Sequence, residues 1–177
     1  LNTYNRDKDV RHWLEKRAIT WNETPLGGVI RARPKQCDWQ DHWHTVMNES
    51  LDNPDWLKFK AILPKKYQIP NYINKLASHD KYFQYGGPHA ARATLRSFIE
   101  SRAAGYQKGI SSPSQSRYAC SRLSPYLAWG NLSLRQVYQT LKYYLPKQPR
   151  SWRRSLHAFE SRLHWHCHFM QKFETQC

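Results

Sequence analysis

Apolar residues along this chain recur at helical spacing far more often than in alternation, most clearly in its C-terminal half. Residues 7–18, DKDVRHWLEKRA, put Val10, Trp13 and Leu14 on one side of a helix. The stretch ITWNETPLGGVIRAR then reads as a short extended segment around Val29 and Ile30, punctuated by Pro25 and Gly27–Gly28. Trp39, Trp43 and Val46 predict a second helix over 38–51. Pro54, Pro64 and Pro70 make residues 52–73 a wandering connection and the best candidate boundary.

Beyond it the signals are almost all helical. Pro88 opens a helix through about Ala104, and residues 105–120 read as a Ser- and Gly-rich loop. Ser124–Pro125 starts a short helix that Gly130 ends. Ser133 caps LRQVYQTLKYYL, and Ser151 starts the last and longest helix, through about Glu174. The predicted fold class is mainly α. A helical bundle over 74–177 follows a small helix–strand–helix remnant over 1–53 and a linker over 54–73.

On a wheel advancing ~100° per residue, the last helix gathers Trp152, Leu156, Phe159, Leu163 and Met170 on one face, with His166 and Phe173 on its shoulder. The opposite face carries Arg154, His157, Ser161, Trp165, His168 and Lys172. Trp165 is the anomaly, an indole among cations. Two readings stand level: a tryptophan at an inter-helix contact whose N–H finds a partner, or a platform on which a nucleobase stacks, ringed by phosphate-binding charge.

Charge changes the picture. The chain carries a formal +15, unevenly spread. Residues 1–59 hold nine Lys+Arg and nine Asp+Glu, whereas residues 101–159 hold ten Lys+Arg and no carboxylate. A stretch that long without an acid cannot neutralise itself locally, and interleaved aromatics make nucleic acid the expected partner rather than a merely soluble cationic surface. No run of eighteen apolar residues exists, so no membrane span is predicted. With no leader and no CxxC pair among Cys37, Cys120, Cys167 and Cys177, the expectation is reduced thiols in a cytoplasmic, nucleoid-associated protein. His164 and His168, four apart, have helical metal-site spacing, but no HExxH and no marked third ligand accompany them. A solvated or phosphate-facing histidine row is preferred, and no metal is expected. Cys167 neighbours the apolar face, where thiols are inert.

The segments GGPHAARATLRSFIESRAAGY, CSRLSPYLAWGNLSLRQVY and SLHAFESRLHWHCHF together resemble the flavin-binding helical domain of the photolyase/cryptochrome family. The middle segment is the most specific. Residues 7–50 resemble the tail of that family's preceding α/β domain. The resemblance implies that Tyr106 and the loop Cys120, Ser121, Arg122, Leu123 and Ser124 cradle FAD phosphates and ribityl chain, with Phe159 and His166 lining the flavin cavity. It implies that Trp165 stacks on a flipped pyrimidine dimer. Three departures stand out: the family's loop Thr is Cys120, its lesion-binding acid is Arg162, and its Trp-Arg pair is Trp165–His166. The segments expected to touch the isoalloxazine ring and to carry the family's tryptophan relay are not among these residues, so an incomplete flavin site, or none, is expected.

The leading expectation is a short photolyase-like enzyme, a deoxyribodipyrimidine photo-lyase type, that binds UV-damaged DNA and splits pyrimidine dimers with light. Trp165 is the catalytic candidate; Arg162, Arg154, Arg153, Ser161, His168 and Lys172 are the DNA-binding candidates. The electron donor is either a flavin held by the Tyr106 and Ser121–Ser124 elements or the excited Trp165 indole itself. The alternative is a non-catalytic DNA-binding module or an inactive piece of a longer enzyme; a cryptochrome-like light sensor ranks last. Exposed surface left by a partial domain makes homo-oligomerisation or reshuffled helix packing a further expectation.

Overall fold

The computed structural model describes residues 2–31, 37–52, 55–58 and 82–176. Its first helix, α1 (Asn2–Glu15), aligns Val10 and Trp13 as the spacing requires, but leaves both exposed. The Arg17 guanidinium covers the Trp13 ring at 3.8 Å.

The strand expected around Val29 and Ile30 does not form; there is no strand among the described residues. Its hydrogen-bonding groups find a different partner. The buried Gln171 side chain accepts from the Ile30 N–H at 2.7 Å and donates to the Ile30 carbonyl at 3.1 Å. One carboxamide thus supplies the donor–acceptor pair that a residue of a neighbouring strand would offer, and the segment needs no ladder. Trp39 adds an indole N–H to the Gly28 carbonyl at 2.8 Å. Gly28 itself must be small, because a Cβ there would stand 2.5 Å from the Trp43 ring.

Helix α2 (Trp39–Asn48) is capped by Asp38, whose carboxylate accepts from the Gln40 N–H at 2.8 Å. Helix α3 (Pro88–Glu100) begins with its proline in the first turn and runs on into a 3₁₀ turn over Arg102–Gly105. The loop expected over 105–120 is instead two short helices, α4 (Tyr106–Gly109) and α5 (Pro113–Ala119). They form because Gly109 lets Ala119 approach: a Cβ on Gly109 would lie 2.4 Å from the Ala119 Cβ.

Helix α6 (Ser124–Ala128) takes Leu123, not Ser124, at its cap, without a side-chain bond, and ends at Gly130 with φ of 67°. Helix α7 (Leu134–Tyr144) has a full capping box: Ser133 accepts from the Gln136 N–H at 3.0 Å and donates its own N–H to the Gln136 side chain at 2.8 Å. The last helix, α8 (Arg153–Gln176), is entered through a 3₁₀ turn at Arg150–Trp152.

One buried cluster joins these elements. Trp43 and Met47 of α2, Phe98 of α3, Val137 and Leu141 of α7 and Leu156 of α8 are at most 1% exposed within it. Burying each such side chain stabilises by roughly 1.5–3 kcal/mol. Because α2 packs on α7 within this cluster, residues 39–48 share the core of the helices beyond residue 82. The proposed boundary over 54–73 therefore divides the sequence but not the core; most of it lies outside the described residues.

The buried stripe of α8 also differs from the wheel. Leu156, Phe159 and Leu163 are buried as expected, but the stripe continues through Cys167 and Gln171, while Met170 and Phe173 are exposed. The reason is the partner, since Cys167 and Gln171 of α8 meet the Gly27–Ile30 segment. Among the described residues no helix is long and apolar enough to cross a membrane.

Candidate nucleic-acid interface

Helical phase turns Trp165 away from the Leu156–Leu163–Cys167 stripe, and the indole is 45% exposed. The Arg162 guanidinium, one turn earlier, lies over its ring at 4.6 Å, and the Phe169 ring meets it edge-on at 6.1 Å. One face of the indole is thus covered by an exposed cation. A guanidinium so placed is attracted by the ring quadrupole at about 0.5–1 kcal/mol, less than a stacked base supplies. Phe169 is a neighbour that the sequence reading passed over. Its i, i+4 offset from Trp165 was the available signal.

The cations extend along the helix, Arg154, Arg162 and Lys172 on the side of Trp165 and Arg153 about 120° around from it. Arg153, Arg154, Ser161, Arg162, His168 and Lys172 are all exposed, and the four Arg and Lys among them make no salt bridge within the described residues. At about 1.5 Å per residue, Arg154 lies some ~17 Å before Trp165 and Lys172 ~10 Å after it, a track as long as roughly eight phosphate spacings. The first turn of α8 carries arginines and no acid. Positive charge there opposes the helix dipole, a local penalty of a few tenths of a kcal/mol that a bound anion removes. Glu160 of the same helix is already engaged with Lys142 and His157 at 3.2 Å each, and Glu174 with Arg31 at 3.1 Å.

Of the histidine row expected to be solvated or phosphate-facing, His157 and His168 are exposed but His164 is not. His164 is half-buried, with its ring 4.9 Å from both Trp39 and Trp43. His168 leans on Trp39 at 5.5 Å and stacks on His164 at 6.3 Å. The two tryptophans occupy the space that a third ligand would fill, and no group of three or more metal-ligating side chains gathers among the described residues. Burial, then His168 and His44, holds the His164 imidazole below its ordinary value. Burial likewise pushes the Cys167 thiol up, against the Gly28 N–H and the Trp43 indole, which pull the other way.

The residues assigned to FAD separate into three settings. Tyr106 and Phe159 are brought together, but in the core: their rings meet edge-on at 5.5 Å and both touch Phe98. A side chain lining an open cavity keeps accessible surface, whereas these keep 5% and 3%. Burial pushes the Tyr106 phenol up to about 12, Cys120 adding to the effect and Arg162 opposing it, so these groups lie within electrostatic reach of one another. His166 shares the side of Phe159 but lies two turns on, and is exposed.

The loop forms the third setting. Arg102 gathers its carbonyls, donating to Cys120 O, to Ser121 O at 3.3 Å and to Thr94 O at 3.0 Å. Leu123 is buried and Ser124 exposed. Arg122 turns instead to Gln84 in a reciprocal pair: it donates from Nη2 to Oε1 at 3.3 Å, and Gln84 Nε2 donates to the Arg122 carbonyl at 3.1 Å. Arg122 has φ of 58°, a left-handed conformation that costs a non-glycine residue about 1–2 kcal/mol and that these bonds hold in place. Tyr106 and Phe159, closed in the core, do not line a cavity open to a flavin ring. Comparisons with family models, with curated proteins and with solved structures find no match to this chain.

Proposed function

We propose that this chain is photolyase-like and binds UV-damaged DNA, receiving an extruded pyrimidine pair on Trp165 and holding the flanking phosphates along α8. The observation that carries this reading is an exposed indole beneath a guanidinium, in the middle of a cationic track to which no acid is paired among the described residues. Each half of the site addresses a different part of the ligand. The ring offers about 1–3 kcal/mol per stacked base, and Arg153, Arg154 and Lys172 take phosphates without regard to sequence. A cross-linked pyrimidine step is already poorly stacked, so it leaves the duplex more readily than an intact one. That difference is the source of selectivity. The resemblance of SRLSPYLAWGNLS and SRLHWHCHF to the photolyase/cryptochrome family supports the same ligand.

The light-dependent step is redox-neutral. One electron passes from an excited donor to the dimer, the bonds joining the two pyrimidines break, and the electron returns to the donor. Trp165 is the donor this site presents in contact with the lesion, because indole absorbs ultraviolet directly. A second reading, a DNA-binding module without chemistry, is favoured by the closed Tyr106–Phe159 contact, which leaves no room for a flavin ring.

Dimer repair under ultraviolet and visible illumination, against dark controls and with and without added flavin, tests the two. Repair driven by ultraviolet alone supports Trp165 as donor. Repair only with added flavin under visible light removes that role while keeping the lesion site, and binding without repair at any wavelength establishes the module.

A further inference from the structure

On the other side of the Cys120–Leu123 loop lies a groove of about 580 Å³. Its rim is aromatic: Tyr82, Phe83, Tyr85 and Tyr118 are each between 66% and 74% exposed along it. Three arginines, Arg102, Arg117 and Arg122, also line it. None of the three pairs with a carboxylate within the described residues, and the sequence from 101 to 159 contains none to offer.

The groove is held open by its own hydrogen bonds. Tyr126 donates its hydroxyl to the Tyr85 carbonyl at 2.7 Å, Gln84 and Arg122 hold one another, and the Gly87 N–H donates to Asn131 at 2.7 Å. These bonds tie the aromatic segment 82–87 to the loop and to α6, so the rings stand on fixed backbone. Arg102 is satisfied by three carbonyls and the Ser97 hydroxyl, all uncharged, which anchors its charge beneath the groove without cancelling it.

Aromatic faces alternating with uncompensated guanidinium groups match one ligand chemistry, a planar base joined to a phosphate. A groove with exposed rings on two separate segments, Phe83 on one and Tyr118 on the other, suits consecutive nucleotides better than one. We infer that this groove binds an unpaired nucleic-acid strand through base stacking on Phe83 and Tyr118, with Arg117 and Arg122 on the phosphates. This goes beyond lesion uptake on α8 and does not depend on it. The two surfaces are built from different residues and are separable by mutation.

The test is fluorescence anisotropy with an undamaged oligothymidylate about eight nucleotides long, within the ~4–16 nucleotide footprint of single-strand sites. Tyr118→Ala and Arg117→Ala change exposed side chains of α5, and their unchanged melting temperatures serve as the folding control. Tyr118→Ala weakens binding on the order of tenfold. Arg117→Ala flattens the salt dependence by about 0.7 log unit per log unit. Both effects persist when the substitutions are made in a Trp165→Ala background, which separates the groove from the α8 surface. Thymidine monophosphate competes only at far higher concentration. Wild-type affinity in both α5 variants overturns the inference, as does loss of oligothymidylate binding in Trp165→Ala alone. A mononucleotide that binds as tightly as the oligomer also overturns it, since the ligand would then be a free nucleotide.

Discussion

Trp43 and Trp165 are the same side chain in two opposite circumstances. Trp43 is 1% exposed, with its ring against Tyr138 at 5.2 Å and His164 at 4.9 Å. Trp165 is 45% exposed and meets a guanidinium instead. His164 is one residue from Trp165 along α8, yet it belongs to the Trp43 side, because successive residues of a helix face ~100° apart. The contrast shows how one helix divides its labour. The Leu156–Cys167 side fixes α8 against α2 and α7, and that rigidity holds the opposite side still enough to receive a ligand.

The comparison breaks most visibly at Trp43. Trp43→Ala opens a cavity in a packed core and destabilises by about 3–5 kcal/mol, lowering Tm on the order of 10 °C in a thermal melt. Gly28→Ala strikes the same ring from the other side. Its methyl group meets Trp43 at 2.5 Å, and overpacking of this kind costs about 1–3 kcal/mol, read as a smaller drop in Tm. On the exposed side, Arg153→Ala with Arg154→Ala leaves Tm nearly unchanged. It weakens damaged and undamaged DNA alike and reduces the salt slope by about 1.8, the loss of two phosphate contacts.

The smallest effect belongs to the boundary between the sides. The His164 imidazole titrates below its ordinary value of 6.5, so as pH falls the unfolded chain takes up this proton first. Stability is therefore complete above about 6.5 and declines as pH drops through that value toward the lower folded one. His164→Phe, which keeps a ring against Trp39 and Trp43, flattens the dependence of Tm on pH between about 7.5 and 5.5.

Local signals carried much of this organisation. Asp38, Pro88 and the Ser133–Gln136 box announce helix starts because capping depends on a few adjacent atoms, and all three hold. The outward turn of Trp165 follows from phase alone. What the sequence concealed was decided by distant partners. Gln171 replaces a strand for Ile30 across 141 residues, and this polar contact drags the buried stripe of α8 away from Met170. Gly109 reads as a loop former until Ala119 is packed against it. Tyr106 and Phe159 read as cofactor contacts until Phe98 closes on both. The groove rim escaped because its rings come from two segments more than thirty residues apart, which no periodicity connects.

The claim on which the rest turns is that the Trp165 ring receives an unstacked pyrimidine. Its most direct measurement is the ratio of affinities for a dimer-containing duplex and its undamaged counterpart, at one salt concentration, for wild type and Trp165→Ala. The account predicts a wild-type ratio well above one that falls close to one in the variant, with affinity for undamaged DNA nearly intact. An unchanged ratio in the variant, or no preference in the wild type, contradicts it.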